Sequence, residues 1–230
     1  MKNKNENSFS IPSELLDFFM NLKTNNNKEW FSANKSAYEK SVKAPVAQLL
    51  GIMSEKFSAL GMPLVSDPKV STFRINRDIR FSANKEPYKT NMGLLFPFSP
   101  VHSLVRDMTA PCFYFHIEPG ASHFVAGGLH MPTAEILKRI RDKIVDDYEE
   151  LETILNNKAL KKEYPVILDG ERLKRVPRGF PADHPKEEWL RLKEYILYCE
   201  LDEKTILSGS LPDILARKAA AMLPFLEYLY

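Results

Sequence analysis

The feature that most constrains this chain is a double change of pattern along it. Up to about residue 60 the apolar side chains recur three and four positions apart. From Lys69 to Leu129 they give way to aromatic and β-branched residues, interrupted at short intervals by Pro and Gly, and after Thr133 the helical spacing returns. A repeat of about 3.6 residues lines up one face of a helix, whereas aromatic and β-branched side chains fit a pleated, half-buried surface. With no linker-like composition between the patterns, the chain reads as a single α+β domain over 12–230. Its mainly antiparallel sheet comes from about residues 70–130 plus a strand near 195–199, packed with N-terminal and C-terminal helices. The polar residues 1–11 read as a disordered tail.

Particular residues place the elements. Pro12 suits the first turn of a helix carrying Leu15, Leu16, Phe19 and Leu22, and the run Asn25-Asn26-Asn27 ends it. Asn26 or Asn27 then caps a second helix with Trp30, Phe31, Asn34 and Tyr38 at helical spacing. A third helix starts near Pro45, where Val46, Leu49, Leu50, Met53, Phe57 and Leu60 keep the period until Gly61. Strands are expected over 71–77, 92–97, 112–118 and 122–127, with Pro119-Gly120 as the turn between the last two. Further helices are expected from Thr133 with Ile136, Leu137, Ile140 and Ile144 inward, over 147–156, around Trp189 and Leu190, and over 211–229 with a kink near Pro224. Residues 165–185 read as irregular.

Composition excludes several classes of function. Hydrophobic residues make up 44%, enough for a core. Thirty-two Lys and Arg against 30 Asp and Glu give +2, so no overall field draws the protein to nucleic acid or membrane. Any basic site is local. Cys112 and Cys199 are too few for a disulfide framework or an all-cysteine zinc site, and read as buried thiols in a reducing compartment. The polar N-terminus lacks signal-peptide character, and the longest apolar runs fall far short of the roughly 20 residues that cross a bilayer. The expected location is cytoplasmic, with no membrane partner.

Charge is concentrated in FRINRDIRFSANKEPYKT, residues 73–90, where Arg74, Arg77, Arg80, Lys85 and Lys89 face only Asp78 and Glu86. Arginine offers a planar fork of donors that matches phosphate or carboxylate oxygens, and lysine adds a point charge. The stretch therefore points to an anion site, with Tyr88 as an added hydroxyl donor or stacking face. The alternative is that these cations pair with internal acids or face water. A second basic stretch, ERLKRVPRGFPADHP at 171–185, carries Arg172, Lys174, Arg175 and Arg178 beside Asp183 and His184. It reads equally well as a functional loop or as a proline-stiffened strap with Phe180 plugged into the core. If both stretches line one cleft, their mutual repulsion calls for an anionic ligand.

In His116-Ile117-Glu118 the first and third residues share one strand face, where such a pair can exchange a proton or offer two metal ligands. A His–Glu hydrogen bond on a half-buried sheet is the plainer reading. Two ligands do not make a zinc site, and nothing in the sequence fixes His130 as a third, so no metal is assigned. Asp78, flanked by Arg77 and Arg80, is expected to stay ionised. Trp30 and Phe31 beside the asparagine run suit base or sugar stacking but more commonly belong to a core. The GxxxxGK[ST], GxGxxG, GxSxG, HExxH and paired CxxC signatures are all missing, which removes most support for the nucleotidase, dinucleotide and zinc-protease readings.

The segments NNNKEWF at 25–31, FRINRDIRFSANKEPYKT at 73–90, FHIEPG at 115–120, GGLHMP at 127–132, LKRVPRGFPADHP at 173–185 and LRLKEY at 190–195 together resemble the DUF2461 family of conserved proteins of unknown function, also described as TIGR02453. The resemblance spans roughly residues 12–230. It implies a single-domain cytosolic protein and brings no activity, cofactor or catalytic residue. Residues 98–111 read as an exposed loop of variable character in that family.

The expected function is binding, with possible hydrolysis or transfer, of a phosphate-bearing or other anionic small molecule. Arg74, Arg77, Arg80, Lys85, Tyr88, Lys89, Lys174 and Arg178 would form the receptor. Asp78, His116, Glu118, Asp183 and His184 would be the available proton carriers. The alternative is a non-catalytic module for nucleic acid or an acidic partner. The motifs select neither a reaction nor a cofactor.

Overall fold

The amphipathic periods of the N-terminal part form in the computed structural model, which describes residues 9–101, 109–167 and 170–230. Helix α1 (Ser13–Thr24) buries Leu15, Leu16, Phe18, Phe19 and Leu22, with Pro12 at the cap position rather than inside the first turn. Asn27 caps α2 (Lys28–Ala33), its side-chain oxygen accepting the Trp30 N–H at 2.8 Å. This helix leads into α3 (Lys35–Tyr38), a π-helical turn (Glu39–Lys43) and α4 (Ala44–Ala59). The apolar period gives no hint of the π turn, whose extra residue per turn rotates α4 relative to α3. Within α4, Val46, Leu49, Leu50, Met53 and Phe57 are buried. Leu60, expected on the same face, lies past the last turn and is 57% exposed, next to Gly61 at φ 63°.

Two expectations need correction. Residues 1–8 of the presumed tail lie outside the described residues, but Phe9 and Ile11 are buried, and Phe9 bridges to Ser210. These two large apolar side chains anchor what the surrounding polar residues disguised. The strand expected over 71–77 is also absent. Asp67 caps the Lys69 N–H at 2.8 Å and Pro68 pre-sets the first turn, so 68–71 form α5 (Pro68–Ser71). Beyond it only isolated bridges form, Thr72 with Leu94 and Asn76 with Tyr88. Local turns then take over, with Asp78 accepting the Arg80 N–H and Asn84 the Glu86 N–H.

The other strands appear as β1 (Met92–Pro97), β2 (Cys112–Ile117) and β3 (His123–Leu129), with Gly120 at φ 70° in the turn between β2 and β3. Residues 102–108, within the expected 98–111 loop, lie outside the described residues; Phe98 at its start is buried. There follow α6 (Ala134–Asp146), α7 (Tyr148–Leu155), α8 (Lys158–Glu163), β4 (Val166–Ile167), α9 (Glu187–Leu190), β5 (Tyr195–Leu201), α10 (Glu203–Ile206) and α11 (Leu211–Leu229). Helices α8 and α10 and strand β4, of six, four and two residues, are too short to leave a period in the sequence. Helix α11 includes Pro224 within one helical span. The architecture is α+β, an antiparallel sheet ordered β1-β2-β3-β5-β4. Among the described residues no helix is long and apolar enough to cross a membrane.

Strand alternation divides the sheet into two faces. Leu94 and Phe96 of β1, Phe113, Phe115 and Ile117 of β2, and Val125 of β3 point into the core. Helix α11 closes on this face: a Cβ at Gly127 would stand 2.0 Å from the Met222 sulfur. The opposite face presents Tyr114 and His116, with Gly93 paired to His116 on one side and Phe124 on the other.

Candidate functional site

A cleft of about 670 Å3 runs along β1, the edge strand nearest the 73–90 stretch. Its apolar wall comes from Phe19 of α1, Tyr38 and Val42 at the π turn, and Val46 and Leu50 of α4. The opposite wall is the irregular 72–78 segment, and the floor is Gly93 and Leu94 of β1 with Tyr114 and His116 of β2. Lys43, Arg74, Arg77 and Lys89 bring positive charge to it, and among the described residues Asp78 is the only carboxylate that lines it. A mainly apolar concavity with a few convergent polar groups is the usual form of a small-molecule site.

The cations are held differently. Arg77 Nη1 donates to the Glu86 carbonyl at 3.3 Å and lies 3.6 Å from the Glu86 carboxylate. Lys89 Nζ stands over the Phe73 ring, 5.1 Å from its centroid. Lys43 pairs with Glu39 at 3.0 Å, one turn away. The Arg74 guanidinium donates no hydrogen bond to any described residue. Arg80 grips Asp78 with two bonds, Nε to Oδ1 at 3.0 Å and Nη2 to Oδ2 at 2.7 Å. Those bonds hold the Asp78 carboxyl below its ordinary value, with Arg74 adding a smaller push, so Asp78 is a poor proton acceptor. The loop is thus pinned by its own acid, leaving Arg74 at the cleft near Asp78 but in no ion pair or hydrogen bond with it.

On the floor, the Tyr114 hydroxyl lies 3.1 Å from His116 Nδ1, and His116 Nε2 lies 3.5 Å from a Glu118 carboxylate oxygen. The His116 ring stacks on Phe124 at 4.5 Å. Burial lowers the His116 pKa against the opposing pull of Glu118, favouring the neutral ring, and burial pushes the Tyr114 phenol up to about 12. In the resting state the phenol therefore donates to a neutral imidazole whose remaining N–H faces Glu118. Gly93 makes room for this: a Cβ there would stand 2.2 Å from the Tyr114 hydroxyl oxygen.

Of the candidate site residues, Arg74, Arg77, Asp78, Lys89 and His116 line the cleft, and Glu118 stands behind His116. The others do not join them. Arg80 is spent on Asp78, and Lys85 donates to the Ile79 carbonyl at 3.0 Å. Tyr88 is a core residue stacked on Phe31 at 4.2 Å, its backbone clamped in both directions by the Asn26 side chain. Trp30 and Phe31 likewise pack against the core.

Among the described residues none of the 171–185 stretch lines this cleft. That stretch is tied to the chain entering β5, with Leu173 N–H donating to Arg191 O at 2.7 Å and Lys193 N–H to Glu171 O at 2.9 Å. Lys174, Arg178 and Asp183 are exposed there. His184 accepts the Lys186 N–H at 3.1 Å and packs edge-on against Tyr148 of α7. Strands β2 and β3 separate β5 from β1, so the two basic stretches do not form one receptor. His130 pairs with Glu194 at 3.1 Å instead of joining His116. Among the described residues no three His, Cys, Asp or Glu side chains gather to hold a metal ion.

The sequence reading missed Lys43, Tyr114 and Gly93. Tyr114 was findable, two positions before His116 on the same strand face; Gly93 carried a weak signal as a lone glycine in a strand. Lys43 carried none, because the π turn sets its direction.

The family model for a conserved hypothetical protein, DUF2461, matches residues 14–228. The chain belongs to the DUF2461 family. That match runs from α1 to the end of α11 and so takes in every wall of the cleft. Neither the curated proteins nor the solved structures contain a match to the chain.

Proposed function

We propose that this DUF2461 protein binds an anionic small molecule, a phosphate or carboxylate on an apolar body, in the cleft along β1. The observation that carries the reading is the lining itself: Lys43, Arg74, Arg77 and Lys89 face an apolar wall, and among the described residues the one lining carboxylate is already held by Arg80. Arg74 and Lys89 receive the anion, while Val42, Val46 and Leu50 receive the rest. The unpaired Cys112 and Cys199 suit the reducing setting of a cytoplasmic protein.

Titration calorimetry with phenyl phosphate tests this directly. The expected result is saturable binding, weakened at least tenfold by Arg74→Ala or Lys89→Ala and only shallowly dependent on salt, since a site for a single phosphate releases few counterions. No binding at millimolar ligand, or an affinity indifferent to both substitutions, overturns the reading. Tighter binding to an oligonucleotide with a steep salt slope would move the function to nucleic acid.

A further inference from the structure

The floor of the cleft holds a chain of groups that anion binding does not need. Tyr114, His116 and Glu118 occupy alternate positions at the end of β2, so one strand face aligns hydroxyl, imidazole and carboxylate in that order. Tyr114 and His116 line the cleft and Glu118 does not, so the chain leads from the ligand space outward to the turn after β2. Among the described residues, His116 is the hydrogen-bond partner of the Tyr114 hydroxyl, which leaves a lone pair of that oxygen for a ligand. The absent side chain at position 93 keeps the hydroxyl in place above β1.

We propose that Tyr114, His116 and Glu118 form a proton relay that makes this cleft an acid–base catalytic site, acting on a hydroxyl group of an organic phosphate or carboxylate. The substrate class rests on the anion-binding reading; the relay itself does not. A hydroxyl suits the geometry because it can donate to the phenol oxygen, whereas a carbon acid offers no such bond. In the step, the substrate O–H proton passes to the Tyr114 oxygen as the phenol proton passes to His116 Nδ1. The substrate is left as an oxyanion beside Arg74 and Lys89, the phenol is restored, and the imidazolium faces Glu118. The reverse transfer returns the proton to that oxygen and restores the resting pair of phenol and neutral imidazole. Burial supports this direction, since it disfavours a free phenolate and keeps His116 neutral and able to accept. Tyr114 is the catalytic residue, with Glu118 a positioning residue acting through His116.

Aryl sulfonyl fluorides test the relay without the natural substrate. The phenol oxygen forms the S–O bond, the S–F bond breaks, fluoride leaves and the phenol proton goes to His116. Peptide mass spectrometry on the full chain compares labelling of Tyr114 with that of Tyr230, which is 54% exposed at the end of α11. Neutral benzenesulfonyl fluoride is expected to label Tyr114 at least tenfold faster than Tyr230. That ratio should fall at least tenfold in His116→Gln and about threefold in Glu118→Gln, and the Glu118 variant, just past the end of β2 and partly exposed, covers a failure of the first to fold. A wild-type ratio of one or less, or a ratio unchanged in a folded variant, overturns the relay. The probe 4-carboxybenzenesulfonyl fluoride should label Tyr114 faster still. Loss of that gain alone counts against the anion site and leaves the relay standing.

Discussion

The stretches 73–90 and 171–185 are alike in charge and unlike in what their backbones do. In the first, isolated bridges at Thr72 and Asn76 hold the segment to β1 and to itself, and the side chains between them face the hydrophobic wall of the π turn and α4. In the second, the backbone is laced to residues 191–193, Arg191 adds a bond from Nε to Leu173 O at 3.0 Å, and Lys174, Arg175 and Arg178 are exposed. Arginine density therefore does not by itself mark a site. An apolar surface facing the arginines turns one stretch into a cleft, and its absence makes the other a strap.

The sharpest break of this comparison is a pair of double variants. Arg74→Ala with Lys89→Ala is expected to weaken phenyl phosphate binding by about 100-fold, about 2.7 kcal/mol, as charge-assisted bonds are lost. Lys174→Ala with Arg178→Ala should leave affinity within about twofold, and comparable losses in calorimetry would erase the distinction. Next comes Gly93→Ala, whose Cβ meets the Tyr114 oxygen at 2.2 Å and forces the ring aside. Its expected cost is about 1–3 kcal/mol in denaturant unfolding, with loss of Tyr114 labelling. Unchanged stability would show that the hydroxyl is not held there.

Arg191→Ala works on the strap by removing the bond to Leu173 O and the pairing with Glu187. About 1 kcal/mol of stability should go, with faster proteolysis within 171–185 and unchanged phenyl phosphate affinity. The smallest effect concerns pH. Burial lowers the folded-state pKa of His116 and His123 below the ordinary 6.5. The unfolded chain thus binds more protons than the native one in the interval between. Stability is full above about pH 6.5 and declines as pH falls toward the folded values. His123 also buries an Nδ1 with no partner among the described residues, so His123→Leu should flatten that decline and raise stability by about 1 kcal/mol. Thermal melts from pH 5 to 8 check both.

Much of the fold was legible because long periods survive tertiary packing. The periods at Leu15–Leu22 and Val46–Phe57, the strand Met92–Pro97 and the helix Leu211–Leu229 all carry enough residues to declare a face. The 71–77 segment failed because one capping aspartate and one proline outweighed its β-branched residues. The site was half legible. Arg74, Arg77, Lys89 and His116 stood out by type, whereas Tyr88 resembled a ligand group and is core, held by Phe31 and Asn26. Tyr114 resembled core and lines the floor.

What the sequence settled alone was an α+β chain with its charge gathered in two places, since composition and period are properties of neighbours along the chain. Which stretch faces a cavity was settled by strand order and by one π turn. So was the seating of the Tyr114 hydroxyl above an empty glycine position on the neighbouring strand. Those are contacts between residues about 20 or more positions apart, and their geometry exists only once the sheet has paired.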